Sequence, residues 1–317
     1  MTHPVLAVVG ATATGKSELG LLLAERLGGE VVNADAMQLY RGMDIGTAKL
    51  TEAERRGVAH HQLDVLDVTQ EASVAAYQAA ARHDIAAIRG RGHVPVLVGG
   101  SGLYVRAVLD RLEIPPTDPQ VRQVIEREAD RVGSAALHER LARADPAAAA
   151  QILPGNVRRV VRALEVIELT GRPFSATLPV REFVTPTVVL GLRSDRTELA
   201  DRIEQRIHRM WRRGLVDEVA CLLERGLRNG VTASRAIGYR QAMGVIDGEL
   251  DDTAAMNETA AATRKYARRQ QSWFGGDPRV EWLGAETPDL LDRALEAITA
   301  SAPVGLPTPA RPVPQNG

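Results

Sequence analysis

The sequence is poor in several kinds of residue, and each shortage limits what the protein can be. It contains one cysteine, Cys221, which excludes an internal disulfide and a zinc site built from several cysteines. Aromatic residues make up only 3% of the chain, so Leu, Val, Ile and Ala must supply most of the core. The apolar run at residues 5–9 ends at a glycine and is too short for a signal peptide or a membrane span, and no later run is long enough. We therefore expect a cytoplasmic protein without a membrane partner.

Net charge is also nearly absent. The 39 Lys and Arg residues against 40 Asp and Glu residues leave a formal charge of −1. Such a balance indicates no particular partner, so any surface that binds nucleic acid must be a local basic patch. With 317 residues, of which 44% are hydrophobic, the chain is long enough for one large domain or two.

Short β-branched runs alternate with longer amphipathic segments, a pattern typical of βαβ units around a parallel sheet. The predicted strands lie at residues 5–9, 30–33, 94–98, 188–192 and 280–283. Helices are predicted at residues 16–27 and 73–89, and long charged helices at 195–213, 215–225 and 252–274.

Between the third and fourth predicted strands the pattern becomes helical. Pro115 and Pro116 indicate a stiff linker, and helix starts are predicted at Asp118, Ser134, Asp145 and Asn156. We therefore predict four segments: the first part of an α/β core at 1–112, a helical insertion at 113–186, the rest of the core with C-terminal helices at 187–300, and a disordered Pro-rich tail at 301–317.

The clearest motif is a phosphate-binding loop after the first predicted strand. The residues Gly10-Ala11-Thr12-Ala13-Thr14-Gly15-Lys16-Ser17 match the pattern G-x-x-x-x-G-K-[ST]. In such a loop the backbone N–H groups and a helix N-terminus surround a phosphate, the lysine neutralises charge, and Ser17 can hold Mg²⁺. The motif predicts a diphosphate or triphosphate site. The fold class is therefore predicted as α/β, with a P-loop NTPase-like parallel sheet core and a helical insertion domain.

Asp35 is the one acidic residue that ends a predicted strand at the phosphate-binding edge. It is a candidate general base or second-sphere Mg²⁺ ligand, and a turn or cap aspartate is the alternative. The third predicted strand ends in Gly99-Gly100-Ser101-Gly102, without the acid that an ATP-using P-loop enzyme normally carries there.

Two segments after Asp35 remain open on pattern alone. Residues 37–49 fit neither a helix nor a strand and form either a substrate loop or a surface connection. His60-His61 lacks companions at metal-ligand spacing, so a structural role is favoured over metal binding.

Basic residues are concentrated in three helical stretches. They are Arg158, Arg159 and Arg162; then Arg202, Arg206, Arg209, Arg212 and Arg213; then Arg264, Lys265, Arg268 and Arg269 around Tyr266. Such clusters fit a phosphate-backbone footprint, and equally fit solvated helix faces; several of them beside a diphosphate site favour RNA.

Taken together, these residues resemble the bacterial tRNA dimethylallyltransferase family. The similarity extends from about residue 5 to residue 283 and includes the P-loop and the long block at residues 34–49. It also includes His60-His61, Gly99-Gly100-Ser101-Gly102-Leu103-Tyr104, Asn156-Val157-Arg158-Arg159, Arg235-Ala236-Ile237-Gly238-Tyr239-Arg240 and Arg268-Arg269-Gln270 with Trp273.

The resemblance implies transfer of a dimethylallyl group from dimethylallyl diphosphate to N6 of the adenosine 3′ of the anticodon in tRNA. It implies that Asp35 accepts the N6 proton, and that Lys16, Ser101 and Arg206 stabilise the departing diphosphate with Mg²⁺ at Ser17. The tRNA anticodon stem-loop would contact Asp35, Ala36, Met37, Gln38, Ser101, Arg122, Arg158, Arg159, Val160, Val161, Arg162, Arg235, Ala236, Ile237, Gly238, Tyr239, Arg240, Arg268, Arg269, Gln270 and Trp273. A monomer is expected.

The sequence departs from the family pattern at three positions. Ala11 stands where proline is usual, Ser101 where threonine is commoner, and Gly275 where arginine is common. Three other functions stay open: an isopentenyltransferase acting on free adenine nucleotides, a P-loop small-molecule kinase, and an RNA-binding protein without catalysis. The basic clusters oppose the first, and intact Lys16, Ser17 and Asp35 oppose the last.

Overall fold

A computed structural model of the chain describes residues 3–177 and 181–301, with the backbone only at residues 176 and 177. The predicted tail lies outside the described residues except for Ser301. The chain divides into two compact units, one formed by Met1–Leu109 with Thr185–Gly317 and the other by Asp110–Val184. The sequence pattern predicts the insertion at residues 113–186.

The first unit is built on one six-stranded sheet in which every neighbouring pair is parallel. The strands are β1 (Val5–Gly10), β2 (Gly29–Asn33), β3 (His60–His61), β4 (Val94–Gly99), β5 (Thr187–Arg193) and β6 (Val280–Gly284). Their order is β3-β2-β4-β1-β5-β6, with β1 between β4 and β5. All six residues of β1 are buried, as expected for a central strand of a parallel sheet covered on both faces. The predicted α/β class is confirmed.

Eleven α-helices occur in the described part of the chain. They are α1 (Lys16–Leu27), α2 (Val74–Gly90), α3 (Gly102–Leu109), α4 (Pro119–Ala144), α5 (Pro146–Gln151), α6 (Val157–Thr170), α7 (Arg196–Arg212), α8 (Leu215–Glu224), α9 (Tyr239–Ile246), α10 (Asp252–Gly275) and α11 (Leu290–Ser301). Within residues 3–177 and 181–301, none of them is long and apolar enough to cross a membrane.

The main core fixes α1 against the sheet. Leu19 and Leu23 of α1 pack on Val8 and Val98 of the central strands. At Gly20 a Cβ would lie 2.4 Å from Val98 Cγ2, so glycine is needed for this close approach. A second core, around the loop after β2, packs that loop on α8 and α9. These two cores position the phosphate-binding loop and the loop that follows Asp35.

The second unit is a small helical bundle with its own core of Ile125, Leu137, Leu141 and Val160. Gly133, with φ +83°, breaks α4 into two helical stretches, which agrees with a helix start predicted at Ser134. Aspartate N-caps begin α4 and α5, each followed by proline in the first turn.

Four elements were not predicted. They are β3, α3, α9 and α11. β3 has two residues, which is too short to show a period, and α3 and α9 have eight residues each and begin beside glycines. Such short elements exist because of tertiary packing, which local patterns do not report.

Candidate active site

The phosphate-binding loop joins β1 to α1 at the centre of the sheet. Gly10 has a φ of +140°, and a Cβ there would lie 2.5 Å from the carbonyl oxygen of Leu192 in β5. Only glycine therefore lets the chain leave the strand so close to its neighbour. Gly15 caps α1 with a φ of +87°, and Ala13 also has a positive φ of +65°. The loop leads into the N-terminus of α1, whose free N–H groups and dipole favour a phosphate.

Two cations stand beside this loop in largely buried surroundings. Lys16 Nζ donates to the carbonyl oxygen of Ala11 at 2.5 Å. Burial lowers the pKa of Lys16 to about 8, the Asp35 carboxylate opposes that effect, and the Arg206 guanidinium adds to it. Burial also lowers the pKa of Arg206. Because both cations are destabilised where they are, an anionic ligand at this position is favoured.

Asp35 forms a turn at the end of β2. Its backbone N–H donates to Asn33 Oδ1 and its Oδ1 accepts from the N–H of Met37, both at 2.9 Å. The turn interpretation of this residue is therefore what the structure shows. It does not compete with a catalytic role, because the same half-buried carboxylate lines a cavity with Lys16 and a second cavity with Ser101.

Three cavities meet at Arg206, which lines all of them. The first, of about 70 Å³, is lined by Lys16, Ser17 and Asp35. The second, of about 300 Å³, is lined by Asp35 and Ser101 and has an apolar wall on α7, formed by Ile203, Ile207 and Met210. The third, of about 390 Å³, is also lined by Lys16 and Ser17 and is strongly basic, with Arg202, Arg206, Arg209 and Arg213 in its lining. The predicted catalytic residues Lys16, Asp35, Ser101 and Arg206 are thus brought together.

Ser101 lies between the Asp35 turn and α10. Its Oγ accepts from the N–H of Ala36 at 3.2 Å. Nearby, burial raises the pKa of Tyr266 to about 12 and Asp35 adds to the rise, whereas Ser101 and Gln270 act against it. Tyr266 lines the second cavity, whereas the sequence marks it only as an aromatic residue within a basic cluster. Helical spacing could have found it, since Thr259, Thr263 and Tyr266 repeat on one face of α10.

Gln270, which is also predicted to contact tRNA, has hydrogen-bond partners within the first unit. It is only 5% exposed. Its Oε1 accepts from the N–H of Thr12 at 2.8 Å, and its Nε2 donates to the carbonyl oxygen of Gly100 at 2.9 Å. Gln270 thus ties α10 to the phosphate-binding loop and to the segment after β4. Its contact with tRNA stays a prediction.

The remaining residues predicted to contact tRNA in the first unit are partly exposed and partly buried. The exposed ones are Arg235, Arg240, Arg268, Arg269 and Trp273; Ala36, Met37, Gln38 and Ile237 are half-buried. Ala236, Gly238 and Tyr239 are buried, and the Tyr239 hydroxyl donates to Glu218 Oε1 at 2.6 Å. The contact of residues 235–240 with tRNA stays a prediction.

In the second unit, the predicted contacts also divide. Arg158 and Arg159 are exposed, whereas the side chains of Val160 and Val161 are buried in the helical core. The contact of this segment with tRNA stays a prediction. Arg122 and Arg162 both pair with Glu165, whose side chain is fully buried, at 3.1 and 2.8 Å. Arg162 also donates to the carbonyl oxygens of residues 115 and 116. These two arginines therefore have a structural function within the unit.

The residues around Ser17 fit a magnesium ion bound together with a phosphate. The Ser17 side chain is exposed at the start of α1, and its hydroxyl has no hydrogen bond to the described residues. Ser17 offers a hard oxygen ligand, which Mg²⁺ prefers, and Asp35 lines the same cavity. In the described chain no group of three or more His, Cys, Asp and Glu residues could hold a metal by itself. A ligand set of this kind needs substrate phosphates and water to be complete.

His60 and His61 belong to no metal-binding group of side chains within residues 3–177 and 181–301. His61 Nε2 is 2.6 Å from Glu30 Oε2, and Glu30 also pairs with Arg91 and His93. The hydrogen bond from Arg91 is the largest of the causes that hold the pKa of Glu30 down at about 2. The structure thus agrees with the structural role predicted for this pair.

Comparison with known proteins gives consistent results over most of the chain. The family model described as IPP transferase matches residues 38–277. A tRNA dimethylallyltransferase from Nocardioides sp. is 56% identical over 299 residues, which cover 94% of this chain and 96% of the relative. The protein of that name from Streptomyces coelicolor is 59% identical over 285 residues, or 90% of this chain and 91% of the relative.

Solved structures are similar as well. A full-length tRNA isopentenylpyrophosphate transferase from Bacillus halodurans is 40% identical, with a TM-score of 0.68 and coverage of 94% of this chain and 95% of that one. A eukaryotic dimethylallyltransferase, crystallised as it acts on tRNA, is 26% identical, with a TM-score of 0.80 and coverage of 94% and 79%.

Proposed function

Because this chain belongs to the IPP transferase family, as the sequence resemblance predicted, we propose that it is a tRNA dimethylallyltransferase. It transfers the dimethylallyl group of dimethylallyl diphosphate to N6 of the adenosine 3′ of the anticodon and releases diphosphate. The observation that carries this proposal is the meeting at Arg206 of a phosphate-binding loop, a carboxylate and a cavity with an apolar wall. A prenyl diphosphate has the two parts, charged and apolar, that these surroundings fit.

The diphosphate binds at the N-terminus of α1. Backbone N–H groups of residues 10–17 surround it, and Lys16 and Arg206 neutralise its charge. Ser17 would hold Mg²⁺ together with the diphosphate, and the ion would supply further positive charge to the leaving group. Residues that meet the leaving group with fixed positive charge lower the barrier, because they need not reorganise during the reaction.

Asp35 acts on the acceptor. The exocyclic amine of adenine is a weak nucleophile, since its lone pair is conjugated with the ring. As N6 forms a bond to C1 of the dimethylallyl group, the bond from C1 to the diphosphate oxygen breaks and its electron pair stays with diphosphate. Asp35 accepts the proton that N6 loses, which is the work of a general base. Ser101, which lines the same cavity, holds the neighbouring backbone in place through Ala36.

The acceptor base must leave its stack to reach Asp35, because the carboxylate lies in a cavity and not on the surface. The exposed arginines Arg235, Arg240, Arg268 and Arg269, with Trp273, provide charge and a ring surface for the RNA near that cavity. One chain supplies every residue named here, which supports a monomer. We place its action in the cytoplasm, where unmodified tRNA is available.

The rival functions make different use of the same residues. A free-nucleotide isopentenyltransferase would share the chemistry but would not need the exposed arginines outside the cavities. A kinase would transfer phosphate from ATP, and the segment after β4 begins Gly100-Ser101, without the acidic residue that such enzymes use there.

The test is a transfer assay with purified protein, Mg²⁺ and labelled dimethylallyl diphosphate. The acceptors are an unmodified tRNA with adenosines across the 3′ anticodon boundary, the same tRNA with that adenosine changed to guanosine, and free AMP. Label in the first tRNA alone is expected. Equal labelling of AMP would support the free-nucleotide enzyme, and transfer of phosphate from labelled ATP would support the kinase.

A further inference from the structure

The loop before Lys49 is held by a carboxylate from a different element. Glu218 of α8 accepts from three consecutive backbone N–H groups: those of Asp44 at 3.2 Å and Ile45 at 2.7 Å through Oε2, and that of Gly46 at 3.3 Å through Oε1. Oε1 also accepts from the Tyr239 hydroxyl at 2.6 Å. Four donors therefore converge on one side chain, and such a concave set of N–H groups binds an anion well.

The residue that follows this anchored segment contacts the active site. The carbonyl oxygen of Thr47 accepts from Arg206 Nη2 and from Gln38 Nε2, both at 3.2 Å. Within the part of the chain that the structure describes, this is the one hydrogen bond that the Arg206 side chain makes. The direction of the guanidinium among the three cavities therefore depends on where the Thr47 carbonyl lies.

Packing restricts the loop from both sides. A Cβ at Gly46 would lie 2.3 Å from the Tyr239 ring, so the backbone is pressed against α9. At the other end, Lys49 is buried and its Nζ donates to the carbonyl oxygen of Tyr40 at 2.9 Å and to Asp44 and Asp64 at 2.6 Å. With Lys49 fixing that end, the N–H groups of residues 44–46 need an acceptor, and Glu218 supplies it.

We propose that Glu218 is a positioning residue for Arg206. It holds residues 44–46 so that the Thr47 carbonyl directs the Arg206 guanidinium toward the diphosphate site. The identity of the leaving group rests on the proposed function; the anchoring itself does not. Glu218 does not line any of the three cavities and acts on the reaction only through the loop.

Glu218→Gln is the direct test, because the amide has the size of the carboxylate but replaces one oxygen with an NH2 group. That NH2 group cannot accept a hydrogen bond from the backbone N–H groups or the Tyr239 hydroxyl that the carboxylate binds. Asp217→Asn is the matched control: it makes the same chemical change one residue earlier on α8, where the side chain is exposed. Binding of inorganic diphosphate with Mg²⁺ is measured by calorimetry for both variants. We expect E218Q to bind diphosphate about 10-fold more weakly, which is the low end of the loss seen when a residue that orients a binding group is replaced. In D217N the affinity should change by less than about twofold.

Turnover separates positioning from a general structural defect. In the transfer assay, E218Q should lower kcat about 10- to 100-fold while the KM for tRNA changes little. The effect of E218Q should largely disappear when Arg206 is replaced by Ala. Adding E218Q to R206A should lower diphosphate affinity and kcat by less than about twofold, because the effects of residues coupled through one backbone segment are not additive. Glu218→Asp, which keeps the charge, should recover part of the loss and serves if E218Q does not fold.

Three results would overturn the proposal. They are an unchanged diphosphate affinity in E218Q, equal losses in E218Q and D217N, and an equal effect of E218Q with and without Arg206. The binding measurement does not use tRNA, so a wild-type protein that fails to prenylate tRNA would contradict the proposed function and leave the test of Glu218 intact.

Discussion

Burial gives Lys16 an unusual property for a lysine in solution. Its pKa lies at about 8 instead of 10.5, with burial as the main cause. The ammonium charge of Lys16 is therefore present at neutral pH and is lost as the pH rises through about 8. A lysine in solution still keeps its charge at that pH. Because the unfolded chain still binds the proton between these two values, folding stability from this group rises with pH there, whereas its affinity for an anion falls.

This shift predicts a pH dependence of the first catalytic steps. We expect kcat/KM for dimethylallyl diphosphate, which reports the free enzyme, to fall above about pH 8. Bound diphosphate stabilises the ammonium form, so the corresponding fall in kcat should lie at higher pH. The measurement is a pair of pH–rate profiles at saturating tRNA. Profiles of kcat and kcat/KM that fall at the same pH would contradict the assignment to Lys16.

Replacement of Asp35 tests the general base. Asp35→Asn keeps an oxygen that can accept from the N–H of Met37, so the turn after β2 should survive. We expect kcat to fall about 10²- to 10⁴-fold, the usual contribution of a general base, with little change in tRNA affinity. The control is Asp67→Asn, since Asp67 forms an exposed pair with Arg41. Full activity of D35N would remove Asp35 from the mechanism.

At the scale of the element, periodic segments were predictable and contact-dependent ones were not. The bounds predicted for α1 are confirmed at Lys16–Leu27, since one apolar stripe and a glycine at each end define this helix. α7 has a basic face and an apolar face, and its cluster of arginines was recognised from the sequence. Its apolar residues, which form a cavity wall, looked like ordinary core residues.

The candidate active site was predictable to the same extent: residues in motifs could be named, and residues placed by tertiary contacts could not. Motif residues Lys16, Ser17, Asp35 and Ser101 could be named because they adjoin strand ends, where the topology brings them together. The role of Gln270 could not be predicted, because its partner Thr12 lies 258 residues away in the sequence. Val160 and Val161 lie on the buried face of α6. The resemblance gave residues 158–162 as one contact segment and did not separate the two faces of the helix.

Glu165 carries a prediction for the second unit. Burial raises the pKa of this carboxyl, but hydrogen bonds from Arg162, the N–H of Asp118 and Arg122 outweigh it, so the net pKa is lowered. Its stabilising effect is then present above its ordinary pKa of 4.5 and lost as the pH falls further. We expect Glu165→Gln to cost about 1–3 kcal/mol of unfolding free energy at neutral pH.

Hydrogen exchange of amides in residues 118–170 measures this effect directly. Faster exchange in E165Q at pH 7, with a smaller difference from wild type below about pH 4, is the expected result. Uniform protection in both proteins at every pH would show that Glu165 contributes no stability through its charge.

At the scale of the whole molecule, function depends on where charge is concentrated, because the net charge is only −1. Arg268 and Arg269 are exposed on α10, and Tyr266 of the same helix lines the second cavity. Contacts between such arginines and RNA phosphates release counterions, so binding weakens as salt rises.

We therefore expect log kcat/KM for tRNA to fall linearly with log salt concentration. Replacing Arg268 and Arg269 with Gln should reduce the slope by about 1 to 2, roughly 0.7–0.9 for each phosphate that an arginine no longer neutralises. Arg293→Gln is the control, since Arg293 is an exposed arginine of α11. An unchanged slope in the double variant would exclude these residues from the RNA surface.

The position of β1 between β4 and β5 has a consequence for synthesis on the ribosome. β4 is made before residues 110–184 and β5 after them, so one edge of the central strand has no partner while the whole second unit emerges. An apolar strand with an open edge is a site for wrong pairing. The nascent chain thus passes through a vulnerable period whose length is set by the translation time of the helical unit, and slower translation there would lengthen its dependence on chaperones.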